Sequence, residues 1–87
     1  MRHRRPVVTV YTRQQCGLCR QAEAVVTRVA GWAADVELVD IDADPSITER
    51  YTVRVPVVAV DGVEIAEFQV DPRALRAKLR AARRVAR

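Results

Sequence analysis

The sequence predicts an α/β fold: one mixed four-stranded sheet with helices on both faces, in the order β-α-β-α-β-β-α. Three observations carry this. A β-branched run over residues 7–11 gives way, after a short polar stretch, to a helical stripe of apolar residues. Two Asp-Pro pairs, Asp44-Pro45 and Asp71-Pro72, mark helix starts, with Asp as cap and Pro as first helical residue. Between them, Asp61-Gly62 separates two apolar runs as a two-residue hairpin turn. The 87 residues, 49% hydrophobic and 30% charged, suit one core and therefore one domain.

Residues 7–11, Val-Val-Thr-Val-Tyr, have the length and branching of a buried strand. From Gly17 or Leu18 the period becomes helical. Leu18, Ala22, Val25, Val26 and Val29 form one stripe, with Arg20, Glu23, Thr27 and Arg28 opposite. Gly31 is expected to end this helix as a left-handed cap, with Trp32 folding back on its last turn. Residues 36–41 alternate as a second strand. A short helix follows from Pro45 to Tyr51. Residues 55–60 make a third strand with Pro56 near its start, and residues 63–65 pair back as a fourth. Residues 66–70, which include Phe68, are expected as a loop. The last helix opens at Pro72 and turns Leu75, Leu79 and Ala82 inward. The first half is a parallel β-α-β unit with a right-handed crossover; the second is a hairpin closed by a helix.

Domain organisation follows: residues 1–6 a basic tail, 7–83 the domain, 84–87 a second basic tail. Net charge is +4, almost all of it from arginine, with Lys78 the single lysine. Arg2, Arg4 and Arg5 crowd one end; Arg73, Arg76, Arg80, Arg83, Arg84 and Arg87 crowd the other. Solvated helix faces and tails account for this pattern, and a non-enzymatic basic interaction domain is the alternative. One tryptophan and one phenylalanine, far apart, do not make a base-stacking surface, so nucleic acid is not an expected partner. The apolar run behind the N-terminal arginines is too short for a signal sequence or a membrane span. The expectation is a cytoplasmic monomer with no membrane partner.

The chemistry gathers at Cys16-Gly17-Leu18-Cys19, which contains both cysteines of the chain. Two residues between thiols, at a strand-to-helix junction, place both sulfurs in the first helical turn as a redox couple. Free N–H groups and the positive end of the helix dipole favour a thiolate at Cys16, and Arg13 and Arg20 add positive potential. Cys19, one turn in, is expected to be more buried. Cys16 therefore attacks a substrate disulfide and Cys19 resolves the mixed disulfide. Gly17 lets another chain approach, and Leu18 offers it an apolar contact. Glu23, a turn after Cys19, is placed to move protons for the resolving thiol, but the simpler reading is a solvated residue. Pro56 starts its strand in trans or marks a cis bend; if cis, the backbone of Val55 is free to hold an extended peptide.

Asp40, Asp42 and Asp44 invite a calcium reading, but no Gly turn and distal Glu complete a loop, and helix capping explains them. His3 lies in the tail and is not counted as a ligand. Two thiolates leave a zinc or iron–sulfur site short of ligands unless a second chain or a small thiol supplies them, so this stays an alternative use of the same cysteines.

The run from Tyr11 through Thr12, Arg13, Gln14 and Gln15 to Cys16-Gly17-Leu18-Cys19 is followed by Val39-Asp40-Ile41-Asp42, Arg54-Val55-Pro56-Val57 and Asp61-Gly62. Together these resemble the glutaredoxin-like proteins of the thioredoxin superfamily, in particular a short bacterial glutaredoxin-like family. The resemblance covers about Val7 to Leu79. It implies a thioredoxin/glutaredoxin-like fold and a dithiol-disulfide oxidoreductase without a tightly bound cofactor. It implies Cys16 as nucleophile, Cys19 as resolving cysteine and Pro56 as a cis-proline beside them. Arg13 falls where a basic residue often meets the glutathione carboxylate. The sequence departs from typical glutaredoxins in having Gly17-Leu18 in place of Pro-Tyr and Arg54 in place of Thr. Ala66-Glu67-Phe68-Gln69-Val70 stands in place of a Gly-Gly pair with an acidic residue. The reductant is therefore left open among glutathione, mycothiol or another low-molecular-weight thiol, and thioredoxin reductase. The substrate is expected to be a protein disulfide or a mixed disulfide.

Overall fold

The computed structural model describes residues 5–85. His3, most of the basic N-terminal tail and the last two residues lie outside them. The elements are β1 (Val7–Thr12), α1 (Gly17–Ala30), β2 (Asp35–Asp40), a 3-10 turn (Ile41–Ala43), α2 (Pro45–Tyr51), β3 (Val57–Val60), β4 (Val63–Glu67) and α3 (Pro72–Val85). The sheet runs β2-β1-β3-β4, with β1 parallel to β2 and antiparallel to β3, and β3 antiparallel to β4. The expected element order and the mixed sheet are both present.

Side-chain alternation along the strands divides the core between two faces. On one, Val8, Val10, Val58 and Val60 meet Val26 and Ala30 of α1 and Leu75 and Leu79 of α3. On the other, Val57 meets Ile41 and Tyr51, with Tyr11, Ile47 and Val55 packed around them. The caps follow the sequence signals. Asp44 accepts from the Ser46 N–H, and Asp61 and Gly62 both have positive φ, as a tight hairpin of this handedness requires. The Asp61 carboxylate and N–H also bond the backbone of Val7, tying the hairpin to β1. Gly31 ends α1 at φ +49, its N–H donating to the Thr27 carbonyl.

Four expectations are corrected. Trp32 does not fold back on α1: it is 80% exposed, because Ala30 and Ala34 fill the core where the chain turns into β2. Leu18 belongs to the surface rather than to the buried stripe, and Cys19 takes its inward place. β3 starts at Val57, two residues later than expected. β4 runs on to Glu67, so Ala66 and Glu67 are strand rather than loop, and a bulge interrupts its pairing between Val58 and Ala59. The bulge places Glu64 opposite Ala59 and Glu67 opposite Val57. Both glutamates therefore lie on the α2 face, where strict alternation would separate them.

That face carries a polar network. The Arg54 guanidinium bonds Glu64 and Glu67 and lies over the Tyr51 ring, 5.2 Å from its centroid. The Tyr51 hydroxyl donates to Glu64 at 2.9 Å, and its ring stacks on Tyr11 at 4.2 Å. Arg54, and then Tyr51, hold the Glu64 carboxyl below the usual carboxylate range. Burial, then the bond to Glu64, pushes Tyr51 from its ordinary 10.0 up to about 12. The fold thus favours the protonated phenol. The corresponding stability is complete below the unfolded value and is lost as pH rises through the folded one. Stability measured by urea unfolding is expected to fall between about pH 10 and 12, by up to about 1.4 kcal/mol per pH unit. Tyr51→Phe is expected to flatten that segment, and an unchanged slope in this variant would refute the assignment.

Candidate active site

All the pieces that bear on the dithiol lie at one end of the strands, where β1 finishes, β3 begins and β4 finishes. β1 leads out of the sheet at Thr12, and the polar turn of residues 13–15 delivers Cys16 to the start of α1. β3 runs antiparallel to β1 with Val57 opposite Tyr11, so the Val55–Pro56 bond, which is cis, precedes β3 at the same end of the strands. β4 leaves the sheet there too, since Glu67 pairs with Val57, and Phe68 N–H donates to the Pro56 carbonyl at 2.7 Å. Val55 joins neither ladder of β3, and its main chain has no hydrogen-bond partner among the described residues.

Cys16 is the N-cap of α1 and is disulfide-bonded to Cys19, with the two Cα atoms 5.2 Å apart. Its Sγ accepts from the Cys19 N–H at 3.1 Å. The donors of the first helical turn thus face Cys16, as does the positive end of the macrodipole. Cys19 is fully buried, while Cys16 is partly exposed. Gly17 is open: a Cβ built there would meet nothing within 4 Å. Nothing inside the fold therefore calls for glycine at this position. Gly17→Ala is expected to keep or raise the melting temperature, since alanine is the better helix former. The same change is expected to lower kcat/KM on a protein disulfide severalfold, because the methyl group stands where the incoming chain passes. Unchanged kcat/KM would show that no chain approaches there.

Arg13 is half-exposed, and its guanidinium is engaged by groups of this chain. Its Nε and Nη2 bond both oxygens of Asp42, at 3.0 and 2.7 Å, and Nη1 reaches the carbonyl of Thr52 at 3.0 Å. The Arg13 bond holds the Asp42 carboxyl below the usual carboxylate range, and Asp42 in turn raises Arg13. The guanidinium expected to meet an incoming carboxylate thus carries one from this chain. It also fastens the turn before Cys16 to the segment that leads to Pro56. The three aspartates have partners within the chain: Asp40 caps the 3-10 turn and Asp44 caps α2, while Asp42 holds Arg13.

Glu23 is not solvated as expected. Its carboxylate accepts from Thr12 Oγ1 at 2.5 Å and pairs with Arg20 at 2.9 Å; Arg20 also bonds the Arg13 carbonyl at 2.7 Å. This cluster joins α1 to the end of β1 and sets a negative charge beside Arg20. Arg54, conspicuous in sequence only as a departure from threonine, is fixed on β4 by Glu64 and Glu67.

Beside the dithiol the exposed apolar side chains are Leu18 on α1 and Phe68 after β4, and Val53 is exposed on the segment that leads to Pro56. Phe68 has φ +65, a region that side chains other than glycine rarely occupy. A groove of about 180 Å³ runs between Gln21, Ala22 and Val25 of α1 and Phe68, Gln69 and Val70. Among the described residues no group of three or more His, Cys, Asp and Glu side chains gathers as a metal-ligand set. No helix among them is long and apolar enough to cross a membrane.

Residues 7–80 match the model of the glutaredoxin-like domain family (DUF836). The uncharacterized protein Rv0508 of Mycobacterium tuberculosis is 32% identical over 81 residues, covering 86% of this chain and 84% of that one. Protein XcR50 from X. campestris is similar in structure, with a TM-score of 0.71 and 35% identity over 85% of this chain and 96% of its own. Ne2328 from Nitrosomonas europaea superposes with a TM-score of 0.74 at 25% identity, covering 91% of this chain and 96% of that one. A thioredoxin from Halobacterium salinarum, the N21Q mutant, gives 0.67 and 27% over 90% and 74%. The fold is thioredoxin-like, and the paired cysteines support a redox role.

Proposed function

The chain belongs to the glutaredoxin-like domain family, and from that premise we propose that it is a thiol-disulfide oxidoreductase that reduces disulfides in protein chains. The observation that carries this is the asymmetry of the pair: Cys16 partly exposed at a helix N-cap, Cys19 fully buried one turn behind it.

In the reduced protein the first-turn N–H groups, Cys19 N–H among them, stabilise negative charge on Cys16 Sγ. This thiolate attacks one sulfur of the substrate disulfide. A Cys16–substrate S–S bond forms, the substrate S–S bond breaks, and one substrate thiolate leaves. Cys19 then gives up its proton and attacks Cys16 Sγ. The intramolecular disulfide closes, the second substrate sulfur departs and takes up a proton, and two electrons have passed to the substrate. The oxidised state is the one seen here, with Cys16 bonded to Cys19. An external dithiol, or two equivalents of a small thiol, returns it to the reduced state in a reducing cytoplasm.

Three features favour a peptide chain as the substrate over a small anionic thiol. Leu18 and Phe68 give the rim exposed apolar side chains. The main chain of Val55, without a hydrogen-bond partner among the described residues, offers the donor and acceptor that an extended strand uses. Arg13 already pairs with Asp42, which weakens its pull on an anionic thiol.

The test is turnover on two substrates. Catalytic amounts of the protein, with dithiothreitol as reductant, are expected to accelerate reduction of insulin. The same protein is expected to show a kcat/KM at least about tenfold lower on a glutathione mixed disulfide of a small thiol, a difference of about 1.4 kcal/mol in transition-state binding. No acceleration of either reaction would remove the function. Preference for the glutathione mixed disulfide would reassign the substrate class.

A further inference from the structure

A second surface, remote from the dithiol, has features the redox chemistry does not use. From Pro72 to the C-terminus the sequence contains no acidic residue. On α3, Arg76, Arg80 and Arg83 project along one side, and none of the ion pairs among the described residues involves them. The carboxylates that do pair lie elsewhere, on α1, β2, the 3-10 turn and β4. Together with Val29, Ala33 and Leu79 the three arginines line a groove of about 200 Å³ between α1 and α3. At its end the Arg83 guanidinium lies over the ring of Trp32, 5.9 Å from the centroid, while the indole stays 80% exposed. The groove thus has an apolar floor and cationic walls, and the most exposed large aromatic side chain of the protein stands beside it.

We propose that this groove docks an acidic protein segment, which sets one apolar side chain on Val29, Ala33 and Leu79 and its carboxylates on Arg76, Arg80 and Arg83. Charge complementarity selects the partner's sign. Tryptophan and arginine are the residue types that concentrate binding energy at protein–protein contacts. A nucleic-acid strand fits less well: it needs successive aromatic platforms, and here one ring stands alone with Arg83 over it. A lipid surface fits less well because the apolar floor is recessed, with Leu79 only 4% exposed. Cys16 lies at the opposite end of α1, about 20 Å away along the helix. A partner seated here leaves the dithiol accessible, so the proposal does not depend on the redox reading.

Trp32 is the sole tryptophan, so its fluorescence reports directly on the groove. The probe is a synthetic peptide with one leucine flanked by glutamates. It is expected to change Trp32 emission saturably, with affinity falling steeply as salt is raised. Arg76→Glu with Arg80→Glu is expected to weaken binding at least about tenfold while leaving insulin reduction unchanged, and serine in place of the peptide's leucine to weaken it about tenfold. If the charge reversal perturbs folding by circular dichroism, Arg76→Gln with Arg80→Gln is read instead, with the same direction expected. Three results would overturn the proposal: no saturable change at low salt, equal affinity in the arginine variants, or tighter binding of single-stranded oligothymidylate or anionic vesicles than of the peptide. Failure of insulin reduction with peptide binding intact would count against the redox function alone.

Discussion

Cys16→Ser is expected to reduce turnover on a protein disulfide to the rate of the uncatalysed exchange. Serine at this position still caps α1, because its hydroxyl accepts from the first-turn N–H groups as well as sulfur does. The fold is therefore retained, and the loss is one of chemistry. A hydroxyl at neutral pH supplies no anion to attack sulfur, whereas a thiol at a helix N-terminus does. Cys19→Ser behaves differently. The first exchange is still open to Cys16, but nothing inside the chain releases the substrate, so one equivalent reacts and turnover stops. Stopped-flow thiol release with each variant separates the roles: none from Cys16→Ser, a single stoichiometric burst from Cys19→Ser, and repeated cycles from the natural sequence. Equal bursts from both variants would mean the two cysteines are interchangeable.

Leu75→Ala is expected to cost about 2–5 kcal/mol, the loss of buried methylene contacts plus the cavity left behind. Leu75 is fully buried against the valines of β1 and β3 and joins α3 to the sheet. A domain of this size has about 5–15 kcal/mol in total, so the variant sits close to its unfolding threshold. The melting temperature is expected to fall by at least about 8 °C. Lys78→Ala, on the exposed side of the same helix, is the control and is expected to stay within about 0.5 kcal/mol. A small effect at Leu75 would mean α3 contributes little to the core.

What could be read from the sequence is what local chemistry determines. Asp44-Pro45, Asp71-Pro72 and Asp61-Gly62 each act within four residues, and all three appear in the structure as caps or turn. The place of Cys16 at a helix start was legible for the same reason. Contacts set by strand register were not. Arg13 and Asp42 are 29 residues apart and meet only once β1 and β2 are aligned. Glu64 and Glu67 share a face because a bulge interrupts β4, and periodicity carries no sign of the bulge. The polar stripe that carries Glu23 points to solvent in the sequence, yet the end of β1 brings Thr12 against it. The position of Trp32 after Gly31 suggests a cap contact, but two alanines fill the space and leave it outside. The proposed substrate preference rests largely on such long-range pairings, which is why local signals point to the dithiol but not to its partner.

The most direct measurement of the central claim is the intact mass of Cys19→Ser after incubation with a disulfide-bonded peptide. The expected product carries one peptide half linked to Cys16, is released by dithiothreitol, and is absent when Cys16 is also replaced. An unmodified mass under conditions where the natural protein reduces the same peptide would contradict a mixed disulfide at Cys16, and with it the mechanism.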